Sequence, residues 1–432
     1  MFVTDMVKSL RCVLAAMLLV AIPATAQRYV GGDISLLPEY ENGGANYRTH
    51  DGKPIGNVLA YFKDEGWNAM RLRLFVEPGN YQASDKANVC QDIEYVKALG
   101  KRIKDAGFKF MLDFHYSDGW ADPGKQWTPA AWASLGDEEL GQKLYEYTKE
   151  ALLQLKEAGA EPDFVQTGNE ISYGMLWGTE DAASKYYCYP SSPAANWMRF
   201  TNLLRRAVDA TREACPEAKV IVHVERVSTS QQKDNAGYAA LRNFFEKMEE
   251  AAIDYDIVGL SYYPYFHGSI DELDGALRYL EATYPSKDIM MVEAGYPYAW
   301  EVGGTTFDYT ATYPYSDDGQ RRFADDLVAM LNKHPRVNGL FWWWPEYNAN
   351  GTNLTGWYNA PLFDSRTGNA TSALSVLGKF AGASTGIRPS HEGISKVKDT
   401  CYNLNGQQVA APNGGVYIQA GKKVVKNTKT NN

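Results

Sequence analysis

The stretch DFVQTGNE (Asp163–Glu170), read together with DIMMVEAGYPY (Asp288–Tyr298), decides the fold. Each is a short apolar run carrying a glutamate near its end, Glu170 in the first and Glu293 in the second. The two glutamates lie 123 positions apart. One strand–helix unit of an eightfold β/α barrel takes roughly 30–40 residues, so the interval holds about three units. If Glu170 ends a fourth strand, Glu293 ends a seventh. Both carboxylates then face one cavity at the C-terminal rim, where barrel enzymes place their chemistry. Two facing carboxylates are what glycoside hydrolysis requires, one to protonate the leaving oxygen and one to attack or to activate water.

Outward from these two runs the same pattern recurs: an amphipathic helix, a glycine, then an apolar strand. Gly66 precedes NAMRLRLF (Asn68–Phe75), Gly107 precedes FKFMLDFHY (Phe108–Tyr116), and Gly159 precedes the Glu170 run. Glycine after a helix takes the left-handed conformation that ends it. Continuous apolar runs fit a parallel sheet buried on both faces. Eight strands are predicted to begin near Val30, Ala69, Phe108, Asp163, Lys219, Asp256, Asp288 and Val337. Helices fit the gaps, among them Gln91–Ala106, Glu138–Ala158, Asn196–Ala214 and Asp318–Asn332, and a helix over Ser372–Phe380 is expected to end the barrel. Eight alternations predict an α/β fold, a closed (β/α)8 TIM barrel, over residues 27–380. No G-x-G-x-x-G follows the first strand, which argues against a dinucleotide-binding sheet.

The ends read differently. Lys8 and Arg11 precede the apolar run Cys12–Ile22, and Ala24–Thr25–Ala26 offers a cleavage site before Gln27. Residues 1–26 are therefore expected to be an export signal, too short to span a bilayer. Export to the periplasm, the cell surface or the medium follows as an expectation. Residues 381–390 read as a linker, and 391–432 as a short β-rich tail with Asn-Gly turns. The remaining cysteines, Cys90, Cys188, Cys215 and Cys401, have no CxxC spacing, which argues against a zinc or redox motif and leaves their pairing open. The chain of 432 residues carries a net charge of −9. That argues against nucleic acid or anionic membrane as a partner. With 11 Trp and 29 Tyr it has rings to spare for the apolar faces of sugars, although most must be core. A monomer is the default expectation.

Several other residues fall at strand ends. Arg71 and Arg73 alternate with leucines in RLRLF, so both share one face of a strand. An inward arginine needs a buried partner, and a carboxylate at the mouth can supply it. His115 closes the third strand. Tyr262, Tyr263, Tyr265 and His267 follow the sixth, where a tyrosine hydroxyl can hold the nucleophile ionised. Trp342, Trp343 and Trp344 are consecutive, so alternation sends them to opposite faces, with one or more toward the mouth as a sugar platform.

The strings DISLLPEYENGG, AMRLRLF, MLDFHYSDGWADPGKQ, VQTGNEIS, GLSYYPYFHG and MVEAGYPY together resemble glycoside hydrolase family 53, from about Gly31 to Phe380. The run FHYSDGWADPGKQ is the most specific of them. The resemblance implies an endo-β-1,4-galactanase of the retaining barrel clan that cuts the galactan side chains of pectic arabinogalactan without a cofactor. It assigns Glu170 as acid/base with Asn169 beside it, and Glu293 as nucleophile. It matches Arg71, His115, Tyr262 and Trp343 to substrate-site positions, and Asp33, Asp118, Trp120, Asp122 and His267 to further cleft positions. Two segments depart from the family pattern. HVERVST (His223–Thr229) stands where the family has something like HLDNGW, and FWWWPEY puts Trp344 in place of an acidic residue. The segment after Pro345 is shorter than in members that hold calcium, and no metal site is expected. A clan relative acting on mannan, xylan or β-glucan, and a non-catalytic glycan-binding protein, are the alternatives.

Overall fold

In the computed structural model the strands run β1 (Tyr29–Gly32), β2 (Ala69–Leu74), β3 (Lys109–Phe114), β4 (Phe164–Gln166), β5 (Lys219–Val224), β6 (Ile257–Tyr262), β7 (Asp288–Ala294) and β8 (Val337–Trp342). Each begins within one residue of its expected start. All pairings are parallel, in the order β1-β8-β7-β6-β5-β4-β3-β2. The remaining seam, between β1 and β2, is drawn together by a bridge between Asp33 and Arg71 and by the hydrogen bonds Asn68 N to Val30 O (3.0 Å) and Ile34 N to Arg71 O (3.1 Å). The architecture is a nearly closed (β/α)8 barrel. The structure describes residues 27–227, 236–348 and 360–382, with four short strands in the tail. The predicted leader, most of the predicted linker, and Ser228 and Thr229 of HVERVST lie outside the described residues.

The helices start where side chains satisfy the free backbone N–H groups. Asn57 accepts from Ala60 N, Asp92 from Tyr95 N and Ser316 from Gly319 N, while Ser269 and Glu272 form a capping box. Gly66, Gly107 and Gly159 have φ of 93°, 76° and 75°, the left-handed stop expected of them.

Alternation along the strands sorts the barrel interior into layers. A plug of Ala69, Met111, Phe164, Ile221, Ile257, Met290, Val292 and Phe341 fills the lower barrel, with Tyr29 against it. Two residues further along come Arg71, Asp113, Gln166 and His223, all fully buried. The site stands on this polar layer. The chain divides into two compact units at Ala383/Ser384. The second contains a four-stranded antiparallel sheet, whose hairpin pairs Gly415–Gln419 with Lys422–Lys426.

Candidate active site

Arg71 is the hub of the polar layer. Its Nη1 lies 2.9 Å from Asp33 Oδ2, and its Nη2 lies 2.8 Å from Asp113 Oδ2 and 2.9 Å from Glu293 Oε1. It also donates to Asn169 Oδ1 (3.0 Å) and Gln166 Oε1 (3.2 Å). Burial opposes its charge, but three carboxylates outweigh that and raise its pKa. His115 accepts from Ala121 N through Nδ1 (3.0 Å), so its proton is on Nε2, which lies 3.0 Å from Asp113 Oδ2. Burial lowers the His115 pKa, keeping the ring neutral.

Glu170 and Glu293 line one cavity of about 450 Å³. Glu293 reaches it through an irregularity: Leu260 pairs with Met291 but Ser261 with Glu293, so β7 gains a residue against β6. This bulge lets Glu293 face inward although Met290 and Val292, one phase off, already do. Strand β6 then serves both carboxyls. Ser261 Oγ donates to Glu170 Oε1 (2.6 Å), and Tyr263, two residues on and on the same face, donates to Glu293 Oε2 (2.8 Å). Desolvation pushes both carboxyls up, Glu170 well above the ordinary range and Glu293 to about 7. The difference has a cause. Arg71 and the Tyr263 hydroxyl hold Glu293 down, while the negative charges of Glu293 and Glu225 push Glu170 further up. Glu293 therefore ionises first and Glu170 keeps the shared proton.

The cavity wall also carries His115, Trp120, Asp122, Asn169, His267 and Trp343, all expected there, together with Tyr263 and Trp344, and with Asp85, Asn88 and Glu225, which sequence reasoning had not singled out. Three expected residues stand elsewhere. Tyr262 is out of phase with the interior, and its hydroxyl donates to Gly268 O (2.9 Å) in the packing against Phe323. Of the two adjacent tyrosines it is Tyr263, not Tyr262, that reaches Glu293. Asp118 ties two loops, accepting from Asn80 Nδ2 and Ala130 N (both 3.0 Å). Asp33 lies beneath the wall, where its carboxylate bridges Arg71 and Arg73.

The tryptophans divide as alternation requires at first, with Trp342 in the core bonded to Ala360 O and Trp343 at the mouth. Trp344 then breaks the rule: its φ of 55° turns it to the same cavity. Trp120, Trp343 and Trp344 enclose the Arg73 guanidinium at 4.8, 4.9 and 5.4 Å. Among the described residues Arg73 thus has one carboxylate, Asp33 at 3.0 Å, and three ring faces. Asp85 fixes Trp120 by accepting from its Nε1 (2.9 Å). Glu225, in the divergent HVERVST segment, is held by Ser172 Oγ and by Arg226 Nε at 2.8 Å. Period two from His223 was the signal that could have placed it on the wall. Among the described residues no group of three or more His, Cys, Asp or Glu is placed to hold a metal ion, and Cys90, Cys188 and Cys215 are free thiols.

A barrel whose rim brings together two enclosed carboxyls of unequal acidity, with tryptophans beside them, defines the class of barrel glycosidases. Glycosyl hydrolase family 53 matches residues 29–377, and the chain belongs to that family: it is a glycoside hydrolase. An arabinogalactan endo-β-1,4-galactanase of Cellvibrio japonicus is 33% identical over 363 residues, covering 80% of this chain and 89% of that protein. Another, from Thermothelomyces thermophilus, is 31% identical, covering 82% and 99%. The GH53 catalytic domain of Ignisphaera aggregans superposes with a TM-score of 0.68 at 30% identity, covering 83% and 96%.

Proposed function

We propose that this enzyme is an exported endo-β-1,4-galactanase that cleaves β-1,4-galactan side chains with retention of configuration. The observation that carries the reading is the unlike partnering of the two carboxyls in one cavity. Glu293, ion-paired to Arg71 and bonded by Tyr263, is the anion and attacks the anomeric carbon. Glu170, with a single serine donor, is the neutral acid and protonates the departing glycosidic oxygen. The C1–O bond to the leaving sugar breaks as the bond to Glu293 forms. Glu170, now ionised, takes a proton from water, which attacks C1 and releases Glu293. Trp120 and Trp343 offer ring faces to the apolar side of a pyranose. The galactanase relatives support galactan as substrate, and the leader-like residues 1–26 support export.

The test is to incubate the purified enzyme with linear β-1,4-galactan, β-mannan and xylan and to follow oligosaccharide sizes and the anomeric proton of the first product. Mixed galacto-oligosaccharides born as the β-anomer are expected from galactan alone. A first product of α configuration overturns the covalent mechanism, and cleavage of mannan or xylan instead overturns the substrate.

A further inference from the structure

His223 lies in the polar layer, fully buried, and carries a direction in its hydrogen bonds. Its Nδ1 is 3.2 Å from the Glu170 backbone N and 2.8 Å from Gln166 Nε2. A backbone N–H can only donate, so Nδ1 bears the lone pair and the ring proton is on Nε2. Gln166 agrees. Its Oε1 faces Arg71 Nε, which also only donates, so its amide NH2 is turned toward His223 and Asp113. His223 Nε2 lies 2.8 Å from Ser261 Oγ. The serine therefore accepts from His223, and its single hydrogen goes to Glu170 Oε1 at 2.6 Å.

We infer that Ser261 and His223 are positioning residues for the acid/base, forming a one-way chain of hydrogen bonds that keeps Glu170 Oε1 an acceptor and leaves Oε2 to carry the catalytic proton. The inference rests on the reading of Glu170 as the acid/base. In the first step the Oε2 proton goes to the glycosidic oxygen as the C1–O bond breaks. In the second step Oε2 takes a proton from water. Neither Ser261 nor His223 exchanges a proton with substrate, because the chain runs toward Oε1 throughout. The backbone N–H that sets its direction belongs to Glu170 itself, so the residue that moves the proton also fixes the tautomer that orients it. Ser261 pairs in register with Glu293 on β7, so the donor to one carboxyl is anchored beside the other. The relay is buried and neutral, because burial and the nearby Arg71 hold His223 well below its ordinary pKa.

The groups that face Glu170 and set its titration are Glu293 from β7, Glu225 after β5, Asp122 after β3 and Tyr263 after β6. Ser261 opposes the three carboxylates by stabilising the ionised form. Its removal raises the Glu170 pKa further. The basic limb of kcat/KM, where the acid is lost, then moves to higher pH.

The experiment compares full-length Ser261→Ala with wild type on a β-1,4-galacto-oligosaccharide, whose leaving group needs protonation, and on a dinitrophenyl β-galactobioside, whose leaving group does not. The expected loss in kcat/KM is about tenfold larger on the oligosaccharide, the size of one hydrogen bond to a charged group, with the basic limb displaced upward. Equal losses on both substrates with the limb unmoved overturn the relay. If Ser261→Ala does not fold, His223→Met and His223→Gln carry the same test. His223→Met lacks a donor at the Nε2 position and moves the limb. His223→Gln keeps one and returns it toward wild type, and identical limbs in the two variants overturn the inference. Glu170→Gln separates the two readings. It loses oligosaccharide cleavage while retaining the aryl substrate if Glu170 is the acid/base, and intact oligosaccharide cleavage sinks that assignment whatever Ser261 does.

Discussion

The two ends of the same strands use carboxylates in opposite ways. At the floor, Asp163 starts the run into β4 and accepts from Phe110 N of β3 (2.9 Å), with Lys104 and Lys109 both 2.7 Å away. Asp256 repeats the motif before β6, accepting from Val220 N of β5 (2.9 Å) beside Arg212. Burial works against both charges, but the cations and the backbone donors win, and both pKa values are lowered. At the mouth, Glu170 and Glu293 sit where desolvation wins, and both are raised. Floor carboxylates strengthen the fold by being charged. Mouth carboxyls are held in a state the fold would not choose, which is what makes them reactive.

The contrast breaks most easily at Glu293. Glu293→Gln should cost about four orders of magnitude in kcat, roughly 5 kcal/mol of barrier, without lowering the melting temperature. The pH dependence has a definite sign. Between the ordinary glutamate pKa and about 7 the folded protein holds a proton at Glu293 that the unfolded chain has lost, so stability falls as pH rises through that window. The glutamine has no such titration. Melting curves from pH 5 to 8 should therefore show the variant gaining on wild type as pH increases; a variant that loses ground instead would place Glu293 with the floor aspartates.

A smaller effect separates adjacent tyrosines. Tyr263→Phe removes a donor from Glu293, the proposed nucleophile, and should lower kcat about a hundredfold, moving the acid limb of the rate profile to higher pH. Tyr262→Phe removes only the bond to Gly268 O and should cost about 1 kcal/mol of stability with kcat unchanged. Reversed outcomes in steady-state kinetics would restore Tyr262 to the site.

The smallest effect lies at the floor. Asp163→Asn keeps an acceptor for Phe110 N but loses the charge between two lysines. A loss of about 1 kcal/mol is expected, a shift in melting temperature of roughly 2 °C, with kcat untouched. Because the folded pKa of Asp163 is lowered, its contribution is present above the ordinary aspartate value and disappears as pH falls through the folded one. The deficit of Asp163→Asn against wild type should vanish in acid.

The barrel was legible in the sequence because its strands are buried on both faces and its helices stop at glycine, two signals that survive without any knowledge of contacts. The end of β7 was legible for the same reason, whereas β4 stops at Gln166 and Glu170, expected to close that strand, stands beyond it in a bend with φ of 47°. What escaped depends on phase. Tyr262 and Tyr263 are chemically alike, and only the inward position of Ser261 selects Tyr263. At Glu293 the phase changes within the strand, because β7 gains a residue there. Trp344 departs from alternation through one positive φ. Asp33 and Asp118 are polar at the right end of the barrel, but their carboxylates are occupied by Arg71 and Arg73 and by loop N–H groups. Asp113, Gln166 and His223 were readable as inward residues of strands already found, yet a buried polar layer carries no apolar signal.

The Arg73 box has an optical consequence. Trp120, Trp343 and Trp344 are three of the 11 tryptophans in the chain, and they converge on one cation at the wall of the cavity. A sugar laid on any of them changes the surroundings of chromophores already in mutual contact, Trp120 with Trp343 at 6.2 Å and Trp343 with Trp344 at 5.9 Å. If a sugar seats on this wall as proposed, tryptophan emission is expected to shift on its arrival, so that occupancy can be read without a label.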